Sequence, residues 1–219
     1  MDNWESIIGV AFYIILIVFL CFLFFLLVIV RIIRKIHKFP IPAFATRLID
    51  NAWRRKFIQK PKSIANNMDL KPGMIVVEVG PGKGSYTKAV AEKLLPNGKV
   101  YAIDIQEYII KRLKQRVKAE KISNIIPKID DVHKLSFENE SVVRIFGVTC
   151  LPEIPNPVQV LKEFKRILKP GGIVSLCELF IDPDYPLRKT EKKWASKAGL
   201  DFLDGYGNFF VYQLNFIKN

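Results

Sequence analysis

The stretch Met74–Ser85 constrains the fold more than any other part of the chain. An apolar, β-rich run, Met74–Val79, passes directly into Gly80-Pro81-Gly82-Lys83-Gly84-Ser85. Residues 85–95 then place Tyr86, Ala89, Val90 and Leu94 at helical spacing. A strand, a glycine turn and a helix in immediate succession open a βαβ unit, with the turn outside the carboxyl end of the sheet. Glycine in such a turn lets a ligand touch backbone that a Cβ would block.

The residues that follow repeat the alternation. Pro96-Asn97-Gly98 marks a turn. Val100–Ile103 reads as a second strand, and Glu107–Ala119 as a helix with Ile109, Ile110, Leu113 and Val117 on one side. Asn124–Ile129 and Val142–Val148 read as the third and fourth strands. Val158–Leu168 reads as a helix closed by Lys169-Pro170-Gly171-Gly172, and Ile173–Glu178 as the fifth strand. Near-continuous apolar strands separated by helices mean a parallel sheet covered on both faces, a doubly wound α/β fold. The tail differs. Leu200–Leu203, a turn at Asp204-Gly205-Tyr206-Gly207, and Phe209–Phe216 read as an antiparallel pair that finishes the sheet.

The N-terminal third belongs to another regime. Ile7–Val30 is 24 residues without a charge, longer as a helix than the roughly 30 Å hydrocarbon core of a bilayer. A cleaved signal peptide needs a basic start and a small-residue cleavage site. Here Asp2 and Glu5 precede the run and Arg31, Arg34, Lys35 and Lys38 follow it. The segment therefore reads as a retained single-pass anchor with the remainder of the chain cytoplasmic. Residues 31–62 hold ten Lys or Arg against Asp50 alone, and so carry +9 of the chain's net +13. Charge this localised suits an anionic leaflet and argues against a nucleic-acid-coating surface; no nucleic-acid partner is expected. Cys21, Cys150 and Cys177 lack metal-ligand or disulfide-framework spacing, so no metal is expected. Pro40 and Pro42 stop the anchor helix. Residues 43–58 then read as an amphipathic helix with Phe44, Leu48, Ile49, Ala52 and Trp53 on one side and Arg47, Arg54, Arg55 and Lys56 along its rim. Residues 63–70 read as a further short helix. Three regions result: 1–38, anchor and basic juxtamembrane segment; 39–72, amphipathic helices capping the core; 73–219, the cofactor-binding domain.

Asp104 ends the second strand, 20 residues after Gly84, where a carboxylate accepts hydrogen bonds from ribose hydroxyls. Both a dinucleotide and an adenosyl cofactor satisfy that much. Three details separate them. The glycines are spaced G-x-G-x-G, not G-x-G-x-x-G. Glu78 sits two places before the first glycine, where a negative charge suits a cationic amino-acid portion better than a pyrophosphate. Asp131, after the third strand, offers a carboxylate to an adenine amino group.

These segments resemble the class I S-adenosylmethionine-dependent methyltransferases. The matching stretches are Val76–Thr87, Val100–Gln106, Asp131–Phe137 and Ile167–Glu178. The resemblance implies a Rossmann-like seven-stranded sheet with its last strand antiparallel, with S-adenosylmethionine as cofactor. It places Gly80, Pro81, Gly82 and Gly84 around the methionine portion and Glu78 near its amino group. Asp104 is then on the ribose, Ile105 against the adenine, and Asp131 with Val132 at the adenine amino group. Two departures stand out: Asp130, where relatives often have glycine, and Cys150-Leu151-Pro152-Glu153, where relatives often carry a histidine.

A base is needed only if the acceptor must lose a proton. Glu153 and His133 are the catalytic candidates, with Cys150 beside them. The anchor confines the site to the bilayer, which favours a lipid or lipid-like acceptor, such as a quinone precursor or an amine-bearing headgroup, through effective concentration. A membrane-associated protein acceptor, an inert membrane-tethered binding module, and a nicotinamide-dependent oxidoreductase are the rival readings. The last is disfavoured by the glycine spacing and the lack of a Tyr-x-x-x-Lys pair.

Overall fold

The computed structural model describes residues 3–36 and 51–219. The chain divides into two units at Lys38/Phe39. The first eight positions of the expected 43–58 helix lie outside the described residues.

In the first unit, α1 (Asn3–Ile36) is a continuous helix. Its segment Ile7–Arg34 is 28 residues long with a mean hydropathy of 3.4 over its most apolar part. Helical rise makes it about 42 Å, long and apolar enough to cross a bilayer. Phe12, Ile15 and Phe24 are all exposed, so the helix has apolar side chains in the open rather than the polar stripe of a soluble surface helix.

Among the described residues of the second unit, a π-helical turn, Arg54–Ile58, comes first and α2 (Pro61–Asn66) follows. This helix starts two residues before the expected 63, because Pro61 supplies the fixed φ and needs no N–H at the first position. It stops short of 70, and the chain turns through Asp69 at φ +44°. The sheet and its crossovers follow: β1 (Ile75–Val79), α3 (Ser85–Leu94), β2 (Lys99–Asp104), α4 (Glu107–Ala119) and β3 (Ile125–Ile129). Next come β4 (Val142–Val148), α5 (Pro157–Ile167), β5 (Leu168–Leu179), α6 (Arg188–Lys197), β6 (Asp201–Gly207) and β7 (Val211–Ile217).

The strand order is β3-β2-β1-β4-β5-β7-β6. Strands β1 to β5 pair in parallel, and β7 is antiparallel to both of its neighbours, wedged between β5 and β6. The fold is the expected seven-stranded α/β sheet. One face packs Leu161, Phe164 and Ile167 of α5 and Ala195 of α6 on Val77, Ile145, Val174 and Tyr212. The other packs Ile64 and Ala65 of α2 and Val90 and Leu94 of α3 on Val76, Val100 and Phe146. Each such large apolar side chain contributes roughly 1.5–3 kcal/mol by leaving water. The direction of chain progression reverses between β1 and β4, and that point sets the cleft.

Two further boundaries differ from the sequence reading, which also contains no counterpart of α6. Lys169-Pro170-Gly171-Gly172 lies within β5 as a bulge, the register stepping from Val142↔Leu168 to Arg144↔Ile173. Its amides are not wasted: Gly171 N–H donates to Lys218 O at 2.7 Å and Gly172 O accepts from Lys218 N–H at 2.9 Å. Asp204–Gly207, expected as the turn, is strand. A Cβ at Gly205 would lie 2.8 Å from Leu214 Cδ2, so the missing side chain lets β6 lie close on β7. The turn falls instead at Asn208–Phe210, where Asn208 Oδ1 accepts from the Phe210 and Val211 amides at 2.9 and 3.2 Å.

Candidate active site

A cleft of about 220 Å³, open to solvent, lies outside the carboxyl ends of β1, β2, β3 and β4. Its walls are the loops that leave those strands: Gly80–Gly82, Asp104–Gln106, Asp130–His133 and Val148–Cys150, with Glu153 and Asp182.

The glycine loop is shaped on both sides. Gly80 N–H donates to Ile103 O at 3.0 Å, tying the turn to β2. A Cβ on Gly80 would meet the Cys150 sulfur at 2.5 Å, and one on Gly84 would meet Leu113 Cδ1 at 2.4 Å. These two glycines therefore face protein. Gly82 has φ +51° and nothing within 4 Å of its Cβ position. It lines the cleft, so the space a side chain would take is left to a ligand. Pro81 and Gly82 reach the cleft surface; Gly84 caps α3 behind it. Glu78 is fully buried within β1 and lies behind the wall.

Asp104 ends β2, and its Oδ1 accepts from the Gln106 amide at 2.9 Å. Burial raises its carboxyl above the ordinary range, opposed by the Gln106 and Ile105 amides. Ile105 beside it is 60% exposed, an apolar plate at the cleft wall. Beyond the end of the neighbouring β3, Asp131 Oδ1 accepts from the His133 amide at 2.9 Å and faces His133 Nδ1 at 3.0 Å. His133 Nε2 lies 2.9 Å from Pro155 O, and Val132 lines the wall between. The Pro155 carbonyl and then Asp131 raise the imidazole above its ordinary value against the opposing effect of burial. The amide and then the ring of His133 hold Asp131 low. A carbonyl on one ring nitrogen and a carboxylate on the other call for two N–H donors, the imidazolium form. In that form His133 braces the wall, and to act as a base it must first lose a ring proton, and with it the bond to Asp131 or to Pro155 O. Asp130, the departure noted in the sequence, is held by Ser136 Oγ at 2.6 Å and Lys128 Nζ at 3.3 Å.

Glu153 ends a 3₁₀ turn, Leu151–Glu153, and lines the cleft. Burial, then the charges of Glu153 and Asp104, push the Cys150 thiol well up, so it stays protonated and is a poor base. Of the three candidates Glu153 is the one carboxylate, and it lines the cleft.

Three lining residues escaped the sequence reading. Arg54, placed there on an exposed rim, is 5% exposed and lines the cleft, with Nη2 donating to Thr149 Oγ1 at 2.8 Å. A basic residue in a run of Trp, Arg, Arg and Lys carries no mark of burial. Thr149 adopts φ +50° at the end of β4. Asp182 follows β5 and reaches the cleft from the far side. Its amide donates to Leu179 O at 2.9 Å, folding the connection back over the strand end.

The open position at Gly82, the apolar plate at Ile105 and the two acids at separate strand ends fit the adenosyl and amino-acid parts of S-adenosylmethionine. The comparisons agree. Residues 70–200 match the family described as a methyltransferase domain. A demethylmenaquinone methyltransferase of Geobacillus stearothermophilus is 32% identical over 124 residues, covering 57% of this chain and 53% of that protein. One from Bacillus cytotoxicus is 31% identical over 127 residues, covering 58% and 51%. The chain thus spans about half the length of these relatives. Among solved structures, an S-adenosylmethionine-dependent methyltransferase from Aquifex aeolicus superposes with a TM-score of 0.76 at 21% identity, over 82% of this chain and all of that one. Phosphoethanolamine N-methyltransferase 2 of Haemonchus contortus, in complex with S-adenosylmethionine, gives 0.64 at 14% identity, over 74% and 52%.

Proposed function

The chain belongs to the class I S-adenosylmethionine-dependent methyltransferases, and from that premise we propose that it methylates a lipid or lipid-like acceptor, a quinone precursor or an amine-bearing headgroup, at the cytoplasmic face of a membrane. The observation that carries the methyltransferase reading is the cleft itself: Gly82 open toward it, with Asp104 and Asp131 at two neighbouring strand ends. The acceptor class draws support from α1, long and apolar enough to span a bilayer, and from relatives named for a quinone precursor.

When bound, S-adenosylmethionine supplies a methyl group already activated by its sulfonium. The protein's share is orientation and exclusion of water. Gly80–Gly82 shape the turn that would take the methionine portion, Asp104 would accept from the ribose hydroxyls, and Ile105 and Val132 would flank the adenine. Asp131 would receive the adenine amino group, its carboxylate fixed by His133. Glu153 would accept the proton of an acceptor that loses one. Arg54, bonded to Thr149 at the end of β4, also lines the cleft, where its guanidinium suits an enolate, phenolate or phosphate.

The test uses the full chain in native membranes with a methyl-labelled donor, followed by separation of lipid and protein. Label in the lipid extract is the expected result. Label confined to protein overturns the lipid reading, and no label with no donor binding overturns the methyltransferase reading.

A further inference from the structure

The end of β5 and the β6–β7 turn meet in a cluster of exposed aromatic side chains that the cleft does not use. Phe180 is 37% exposed, Ile181 70%, Phe209 53% and Phe210 62%. The three phenylalanine rings lie 5.2–5.7 Å apart, centroid to centroid, and Tyr185 lies 5.5 Å from Phe180. The cluster is tied together by hydrogen bonds. Phe180 N–H donates to Phe210 O at 2.7 Å, joining strand end to turn. The Tyr185 hydroxyl donates to Phe209 O, and Arg188 Nη2 donates to Tyr206 O and Asn208 O at 3.1 and 3.2 Å. Four apolar side chains held up by hydrogen-bonded backbone form a knob, not a loose turn.

We propose that this knob inserts into the interfacial layer of an anionic bilayer and admits a lipid acceptor to the cleft beside Asp182; the acceptor half of the statement rests on the lipid reading above. Three observations favour a bilayer as the occupant. Exposed aromatic rings at low conformational cost suit the headgroup–acyl boundary, where an apolar face meets water. The knob is flanked by cations: Arg188 is bonded to its backbone, Lys189 is exposed in the same helical turn, and the one acid of α6, Glu191, is buried. Exposed charge on α6 is therefore of one sign, complementary to anionic headgroups. Finally, the same chain carries α1, long and apolar enough to cross a bilayer, and on the membrane reading above a bilayer is the surface to which this unit is tethered. The knob also adjoins the cleft in sequence and space. Ile181 precedes Asp182, a cleft-lining residue, and Asp182 O accepts from Tyr185 N–H at 3.1 Å. A lipid tail lying along the knob would bring its headgroup end to Asp182 without leaving an apolar surface.

The full chain reconstituted in phosphatidylcholine–phosphatidylglycerol vesicles tests this, the phosphatidylglycerol carrying a photoactivatable acyl chain. No cofactor or acceptor is needed, so the outcome is separate from that of methyl transfer. Adducts at residues 180, 181, 209 and 210 are expected, with none at the opposite end of the sheet around Asn97. Phe209→Ser with Phe210→Ser should lower labelling of the knob by roughly five-fold or more. Ile181→Ser, which leaves every ring in place, should lower it as well. Adducts confined to α1 overturn the proposal. So does self-association that the double variant abolishes while lipid adducts stay absent, which would give the knob to a second copy of the chain.

Discussion

Gly80 and Cys150 are packed so closely that a Cβ on the glycine would lie 2.5 Å from the cysteine sulfur and 3.1 Å from its Cβ. The glycine turn is thus seated on the end of β4, and its shape depends on the residue that opens the Cys150–Glu153 stretch. Gly80 also holds φ +69°. Gly80→Ala should cost about 1–3 kcal/mol through strain and overlap together. Adding Cys150→Ala removes the sulfur but not the backbone strain, so it should restore only part of the loss. Urea unfolding of the single and double variants measures this, and full restoration would show that the positive φ costs nothing.

Asp104→Ala should weaken S-adenosylmethionine binding by about 1.5–3 kcal/mol, roughly 10- to 150-fold in Kd, the range for hydrogen bonds to a charged group. Burial raises the Asp104 carboxyl, so protonation reaches it sooner than an exposed aspartate as pH falls. Affinity should therefore decline on the acid side in the native protein, and Asp104→Asn should lose that dependence. Titration calorimetry across pH reads both; an unchanged Kd in the alanine variant would remove Asp104 from the site.

Gly82 and Gly84 should separate binding from folding. Gly82 faces open cleft and Gly84 faces Leu113. Gly82→Ala should cost about 1–2 kcal/mol of stability for its left-handed backbone but fall more heavily on cofactor affinity. Gly84→Ala adds overlap with Leu113 to the same strain, so it should be the less stable variant. Thermal unfolding beside cofactor titration distinguishes them, and equal losses of stability would contradict the packing difference.

The parallel half of the sheet was legible because each buried strand is a short apolar run bounded by a turn. β1, β2, β3 and β4 fall within one residue of their expected bounds. The tail was less so, since the extent of β6 depends on Leu214 closing over Gly205, a contact distant in sequence. In the site, the acids at strand ends could be read from spacing alone. Arg54 could not, because its burial arises from Thr149, 95 residues away. Glu191 was hidden in the same way: Arg188–Lys197 stays unassigned in the sequence, its many lysines giving no apolar run to read, yet this side chain is buried.

That buried acid gives the last prediction. Glu191 is wholly buried on α6, and burial raises its carboxyl to about 8. Glu178 on β5 is 1% exposed and is raised well above the ordinary range by burial and then by Glu191 and Asp182, with Arg54 opposing. Both groups hold a proton in the folded chain that they release near 4.5 when unfolded. Between those limits the native state binds more protons than the unfolded one, so stability falls as pH rises, by up to about 1.4 kcal/mol per pH unit for each group. The fall attributable to Glu191 begins near 4.5 and levels off above about 8. Glu191→Gln keeps the shape and removes the titration, so its stability curve should be flatter and should lie above that of the native protein at pH 8. Urea unfolding at pH 5, 6.5 and 8 decides it. Parallel curves for the two proteins would mean that Glu191 is ionised in the fold, with water or a cation reaching it.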